Sequence, residues 1–234
     1  MKITFLGTGE AFDENHPNVS FLVEGKKTIL VDCGYSVPNQ FWKTNKQIDA
    51  IYVSHFHCDH YFGIVPVLIR MVEEQRRNPL IIIGPKGVEE KIKNLSGQGY
   101  KNIWEHMFKI NFIEAKQGKK ILLGDFALTF ARTKHQVENN AIRIQQGKKV
   151  LCYSGDGEIT KESRKLFMNC GMLIHESQWL DKNDFQHSSL KDVLKLKKET
   201  KAKKVFIVHI HRKLRKKVKV KELTVAKEGQ IIHF

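Results

Sequence analysis

The 234-residue chain has little of what divides or staples a protein: it contains five prolines and no stretch rich in Pro, Gly or Ser. Nothing in it reads as a linker, and a single domain spanning residues 1–234 is expected, with a core large enough to need no covalent help. The four cysteines, Cys33, Cys58, Cys152 and Cys170, are scattered and form no CxxC pair, which excludes a disulfide framework and a zinc knuckle. No run approaches the ~20 uninterrupted apolar residues of a membrane-spanning helix. The opening Met1-Lys2-Ile3-Thr4-Phe5-Leu6-Gly7 reaches glycine and glutamate too soon for a secretory signal. A soluble, cytoplasmic protein without membrane contact is expected.

Acidic residues are the other shortage. The 25 Asp and Glu stand against 40 Lys and Arg, a formal net charge of +15. Most of the excess lies between Lys191 and Lys221, where fourteen basic residues meet only Asp192 and Glu199. Clustered cations bind polyanions by releasing counterions, whereas a basic run with no such partner is a solvated face. No aromatic residue interleaves between Arg212 and Lys221, so base stacking is not expected within that run.

Short β-branched runs alternate with amphipathic stretches. Residues 3–6, 19–23, 28–31, 48–54, 80–83, 109–114, 126–132, 141–145, 149–154, 172–175 and 205–209 read as strands. Residues 61–77, 86–95 and 188–200 keep helical spacing, with Pro66 in the opening turns of the first. Hairpins come first, then β/α alternation, and the sequence repeats that order. Two packed sheets with helices outside account for this better than one doubly wound sheet.

Eleven histidines are more than a fold of this size needs, and imidazole is the commonest biological metal ligand. Five ligand-type side chains sit in Ser54-His55-Phe56-His57-Cys58-Asp59-His60, after an apolar strand and before a helix. In extended chain His55 and His57 point to one side, while Asp59 and His60, at the turn into the helix, face a neighbouring point. Three imidazoles and a carboxylate at this spacing suit two adjacent divalent ions, zinc first among them. The ligands still missing are expected at other strand ends, where His135, Asp156 (in Ser154-Gly155-Asp156) and His209 stand.

HxHxDH, a later His, an Asp in an SGD turn and a final His after an apolar strand, in this order, resemble the metallo-β-lactamase fold. Phe5-Leu6-Gly7-Thr8-Gly9, His175-Glu176-Ser177-Gln178 and His187-Ser188-Ser189 are further similar to segments of its ribonuclease Z (tRNA 3′-endonuclease) branch. The resemblance spans nearly the whole chain. It implies a four-layered αββα sandwich of the α/β class and a dinuclear phosphodiesterase that hydrolyses RNA, such as a tRNA 3′ trailer, with a metal-bound hydroxide. It implies that His55, His57 and His135 hold one ion and Asp59, His60 and His209 the other, with Asp156 between them. Zn²⁺ is expected, with Mn²⁺ or Fe²⁺ as the alternatives. By the same resemblance, Asp59 positions or deprotonates the attacking water. His187 stabilises the transition state or protonates the departing oxygen, Glu176 orients His187, and Asp32 braces the metal loop. A homodimer is implied as well, and Lys213, Arg215, Lys216 and Lys217 are expected on a basic rim facing RNA.

Three features depart from that branch. Only twenty residues separate His135 from Asp156, too few for the branch's protruding RNA-gripping arm. Gly157 stands where the branch usually has Thr, and His211 replaces a Ser without the Arg-Tyr pair that follows it there. The short span keeps a second enzyme class open: a small-molecule metallohydrolase of the same fold, acting on a cyclic phosphodiester, a lactone or a thioester. A nucleic-acid-binding protein with a vestigial site is a third class, disfavoured by the full set of seven ligands.

Overall fold

A computed structural model describes residues 1–181 and 184–234. Among the described residues, fourteen strands form two seven-stranded sheets. The first half of the chain supplies β1 (Lys2–Gly7), β2 (Ser20–Glu24), β3 (Thr28–Val31), helix α1 (Pro38–Trp42), β4 (Ala50–Tyr52), helix α2 (Cys58–Tyr61), helix α3 (Ile64–Glu73), β5 (Leu80–Gly84), helix α4 (Val88–Gly99) and β6 (Ile110–Glu114). The second half supplies β7 (Lys120–Leu123), β8 (Phe126–Arg132), β9 (Asn140–Gln146), β10 (Lys149–Tyr153), helix α5 (Lys161–Phe167), β11 (Met172–Glu176), helix α6 (Leu190–Thr200), β12 (Lys204–Val208), β13 (Thr224–Val225) and β14 (Ile231–His233).

The sheet orders are β14-β1-β2-β3-β4-β5-β6 and β13-β12-β11-β10-β9-β8-β7. Each combines an antiparallel part, β14-β1-β2-β3 in the first and β7 to β10 in the second, with a parallel part, β3 to β6 and β10 to β13. Parallel strands need crossovers, and the helices that make them cover the outer faces. Between the sheets lies an apolar layer that includes Phe5, Phe21, Tyr52, Phe130, Tyr153 and Phe206. A second layer packs α1, α3 and α4 on one outer face through Phe41, Leu68 and Ile92, and a third packs α5 and α6 on the other through Phe167, Val193 and Leu196. This is the expected αββα sandwich in one domain.

The loops at the C-terminal ends of the parallel strands β4, β10 and β12 carry His55 to His60, Asp156 and His209, and the loop after the antiparallel strand β8 brings His135 to the same edge of the sandwich. The helix expected over 61–77 forms only over Ile64–Glu73, and the short α2, Cys58–Tyr61, ends where it was expected to begin. Residue 63, between the two, must be glycine, because a methyl group there would lie 2.2 Å from the carbonyl oxygen of Gly34. The segment 48–54 pairs as a strand only over 50–52, since Asp32 takes the Ser54 amide out of the ladder. Helix α5, absent from the sequence reading, is capped by a reciprocal Thr160–Ser163 pair, a start signal resting on serine where glutamate is usual.

Candidate metal centre

The centre is best built outward from Asp32, which is fully buried. Its Oδ1 accepts the Ser54 amide at 2.7 Å, and its Oδ2 accepts the Ser54 hydroxyl, His60 Nδ1–H and the Tyr153 hydroxyl, each at 2.8 Å. Two ring tautomers follow. With Nδ1–H given to Asp32, His60 keeps its lone pair on Nε2. Because the Ser54 proton is also given to Asp32, Ser54 Oγ is left to accept His55 Nδ1–H at 3.0 Å, which frees His55 Nε2. Opposite, His135 directs Nδ1–H to the Gln186 carbonyl at 3.1 Å and turns Nε2 inward.

These free atoms converge. His55, His57 and His135 form one group of donors, and Asp59, His60, Asp156 and His209 form another. In the first, His135 Nε2 and His57 Nδ1 are 3.2 Å apart. In the second, His60 Nε2 lies 3.2 Å from Asp59 Oδ2 and 3.4 Å from Asp156 Oδ2, and His209 Nε2 lies 3.2 and 3.3 Å from the same two oxygens. Ligands at 2.0–2.1 Å from a tetrahedral ion are about 3.3 Å from one another. His55 Nε2, His60 Nε2 and Asp156 Oδ1 are buried without a hydrogen-bond partner, a costly arrangement unless a cation faces them. The donor set therefore fits divalent metal, and the sequence-predicted ligands are brought together in full.

Electrostatics separates the two groups. Burial and the neighbouring imidazoles hold His55 and His57 below the usual histidine range, in the neutral form that ligates. Burial pushes His209 the same way, but the Asp156 and Asp59 carboxylates outweigh it and raise its pKa to about 9. The second group thus concentrates negative charge and the first supplies neutral nitrogen.

His187 lies over the cluster, its ring 4.8 Å from that of His135 and stacked at 5.4 Å on that of His209. Its Nδ1 is 3.2 Å from Oε1 of Glu176, a fully buried carboxylate that also accepts the amides of Gly157, Gln178 and Ser188. Burial opposes charge on His187, yet the hydrogen bond and charge of Glu176 raise its pKa.

Sequence reading missed Asn139, buried and without a motif around it. Its Oδ1 accepts the Asp156 amide at 3.1 Å, and its Nδ2 donates to Thr133 Oγ1 and the Ser154 carbonyl. Gly157 has a physical reason for departing from Thr: its φ is +110°, and a side chain there would meet the Lys134 carbonyl at 2.7 Å. Between His135 and Asp156 stands only the plain β9–β10 hairpin. His211 is not in the donor cluster; it stacks on Trp179 at 5.2 Å. Arg215, expected on the rim, turns inward instead, because its guanidinium bonds the Thr8 carbonyl and hydroxyl and the Ala226 carbonyl. Lys213, Lys216 and Lys217 are exposed.

Two adjoining donor groups on the edge of an αββα sandwich define a metal-dependent hydrolase of the metallo-β-lactamase fold. The sequence model of the family described as "Anti-Pycsar protein Apyc1" matches residues 1–232, and the chain belongs to that family. It is also 28% identical to a ribonuclease Z of Methanococcus maripaludis strain C5 over 90% of this chain and 86% of the relative. That alignment spans 272 positions, more than this chain has residues, so the relative carries segments missing here. Among solved structures, the metallo-β-lactamase fold protein YhfI from Bacillus subtilis superposes with a TM-score of 0.82 at 24% identity, covering 99% of this chain and 98% of that one. The short form of human tRNase Z does so with a TM-score of 0.82 at 20% identity, covering 100% and 99%. Among the described residues, no helix is long and apolar enough to cross a membrane.

Proposed function

We propose that the chain is a zinc-dependent phosphodiesterase of ribonuclease Z type, working in the cytoplasm on RNA. The observation that carries this reading is the pair of adjoining donor groups at ligand spacing, one neutral and one rich in carboxylate. His55, His57 and His135 would hold one ion, Asp59, His60 and His209 the other, with Asp156 available to both. Bound metal supplies Lewis acidity toward a phosphoryl oxygen and lowers the pKa of water. Asp59, whose Oδ2 lies 3.2 Å from both His60 and His209 Nε2, would position or deprotonate the attacking water. His187, oriented through Nδ1 by Glu176, presents Nε2 to the departing oxygen and protonates it. Zinc is favoured by five imidazole nitrogens and two carboxylates, a borderline donor set that Mn²⁺ or Fe²⁺ also accepts.

RNA is favoured as substrate by the basic face beside this edge. Leu214, Val218 and Val220 pack onto the layer beneath α6, which leaves Lys213, Lys216, Lys217, Lys219 and Lys221 exposed, and Lys197 of the helix bonds the Glu222 carbonyl beside them. A small cyclic phosphodiester is the second reading, favoured by the bare β9–β10 hairpin where an RNA-gripping arm would stand. The test offers zinc-loaded protein a precursor tRNA, a 2′,3′-cyclic nucleotide and a homoserine lactone. Cleavage of the precursor after the discriminator base is expected. Turnover of the cyclic nucleotide alone selects the second reading, and lactone opening alone refutes both.

A further inference from the structure

The loop between β1 and β2 carries a construction that the hydrolytic chemistry leaves unused. Glu10 is 2% exposed, and both its oxygens are engaged: Oε2 accepts the Phe12 amide at 2.8 Å, and Oε1 accepts the Arg212 guanidinium at 2.6 Å. One carboxylate thereby fixes side by side the Phe12 ring, 71% exposed, and the Arg212 guanidinium, 6.0 Å from the ring centroid. Tyr35, 49% exposed, is tied to the same loop by its hydroxyl, which donates to the Ala11 carbonyl. The next turn is closed by Asp13 Oδ1, which accepts the amides of Asn15 and His16. Large rings held in water by so many local bonds form a preorganised surface, ready to bind without an ordering cost.

The surface borders the metal centre. Arg212 follows His209 by three residues, and Tyr35 follows Gly34, whose added Cβ would stand 2.0 Å from the Asp59 carbonyl oxygen. An occupant with one end at the Asp59–His60–His209 group would present a flat face to Phe12 and Tyr35, beside a guanidinium plane whose charge is paired with Glu10 at 2.6 Å and with Glu14 at 4.0 Å. We propose that Phe12, Tyr35 and Arg212 are a stacking site for the nucleobase adjoining the scissile phosphodiester. Rings and a guanidinium plane stack on any base, so the site grips single-stranded substrate without reading its sequence. The proposal rests on the phosphodiesterase reading above and adds the group that the substrate must carry.

Two esters test it: thymidine 5′-(p-nitrophenyl phosphate) and methyl p-nitrophenyl phosphate share a leaving group and differ in the base. In zinc-loaded protein, Phe12→Ala and Tyr35→Ala are each expected to lower the ratio of their kcat/KM values by about 10-fold. Both side chains are exposed, so neither change threatens folding; Leu122→Ala, on edge strand β7 and 73% exposed, is the control that leaves the ratio alone. A second readout needs no turnover: 2-aminopurine in a cleavage-resistant 2′-O-methyl oligonucleotide is quenched on stacking, and F12A is expected to weaken that quenching. An unchanged ratio, no quenching, or quenching that F12A leaves intact overturns the stacking site. Hydrolysis of neither ester overturns the phosphodiesterase reading, and the quenching then decides the stacking site alone.

Discussion

Replacing Asp32 by Asn tests how the centre is held without touching a metal ligand. Asp32 has φ of +52°, a left-handed conformation that asparagine tolerates, so the backbone is not the variable. Three of its four hydrogen bonds end on Oδ2, from Ser54 Oγ, His60 Nδ1 and Tyr153 Oη. With an amide NH₂ at that position all three donors face a donor. The two hydroxyls can rotate and accept; the His60 Nδ1–H cannot. Hydrogen bonds to a charged group contribute about 1.5–3 kcal/mol each, and two neutral replacements recover about 1 kcal/mol apiece. The net loss is about 2.5–7 kcal/mol, a fall in Tm of roughly 5–28 °C for a chain of this size. His60 escapes the clash by moving its proton to Nε2, the atom that faces Asp59 and Asp156, and affinity for the second metal falls about 10- to 100-fold. Thermal denaturation of the metal-free protein reads the first effect, and zinc titration against a competing chelator reads the second. A Tm within about 2 °C of wild type, or two zinc ions held as tightly as before, refutes the reasoning.

The other predictions concern ligation, proton transfer and the basic face. His57→Ala is expected to abolish hydrolysis of bis(p-nitrophenyl) phosphate and to drop bound zinc from two equivalents to one; metal analysis checks it. His187→Ala should lower kcat by about 10²- to 10⁴-fold with metal content intact, and Glu176→Gln should follow it in part, both seen in steady-state kinetics. Neutralising Lys213, Lys216 and Lys217 together should weaken single-stranded RNA binding and reduce the slope of log K against log salt by about 2, measured by fluorescence anisotropy.

The sandwich and its ligands were legible because both leave local traces. Parallel strands buried on two faces read as β-branched runs, and HxHxDH keeps four ligand side chains within six consecutive residues. His135, Asp156 and His209 were legible as the polar residues that end such runs. Asn139 and Glu10 were not, since their bonds to Asp156, Ser154 and Arg212 join residues brought near only by the fold, and a lone Asn or Glu leaves no periodic signal. Arg215 was misplaced for the same reason. As one cation in a basic run it looked solvent-facing, and only tertiary contact with Thr8 and Ala226 turns it inward.

The central claim is that two adjoining donor groups make a working hydrolytic pair. Its most direct measurement is turnover of bis(p-nitrophenyl) phosphate while metal-free protein is titrated with zinc. Activity that rises to a plateau at two equivalents per chain is the predicted result; no turnover at any loading with zinc, manganese or cobalt contradicts it.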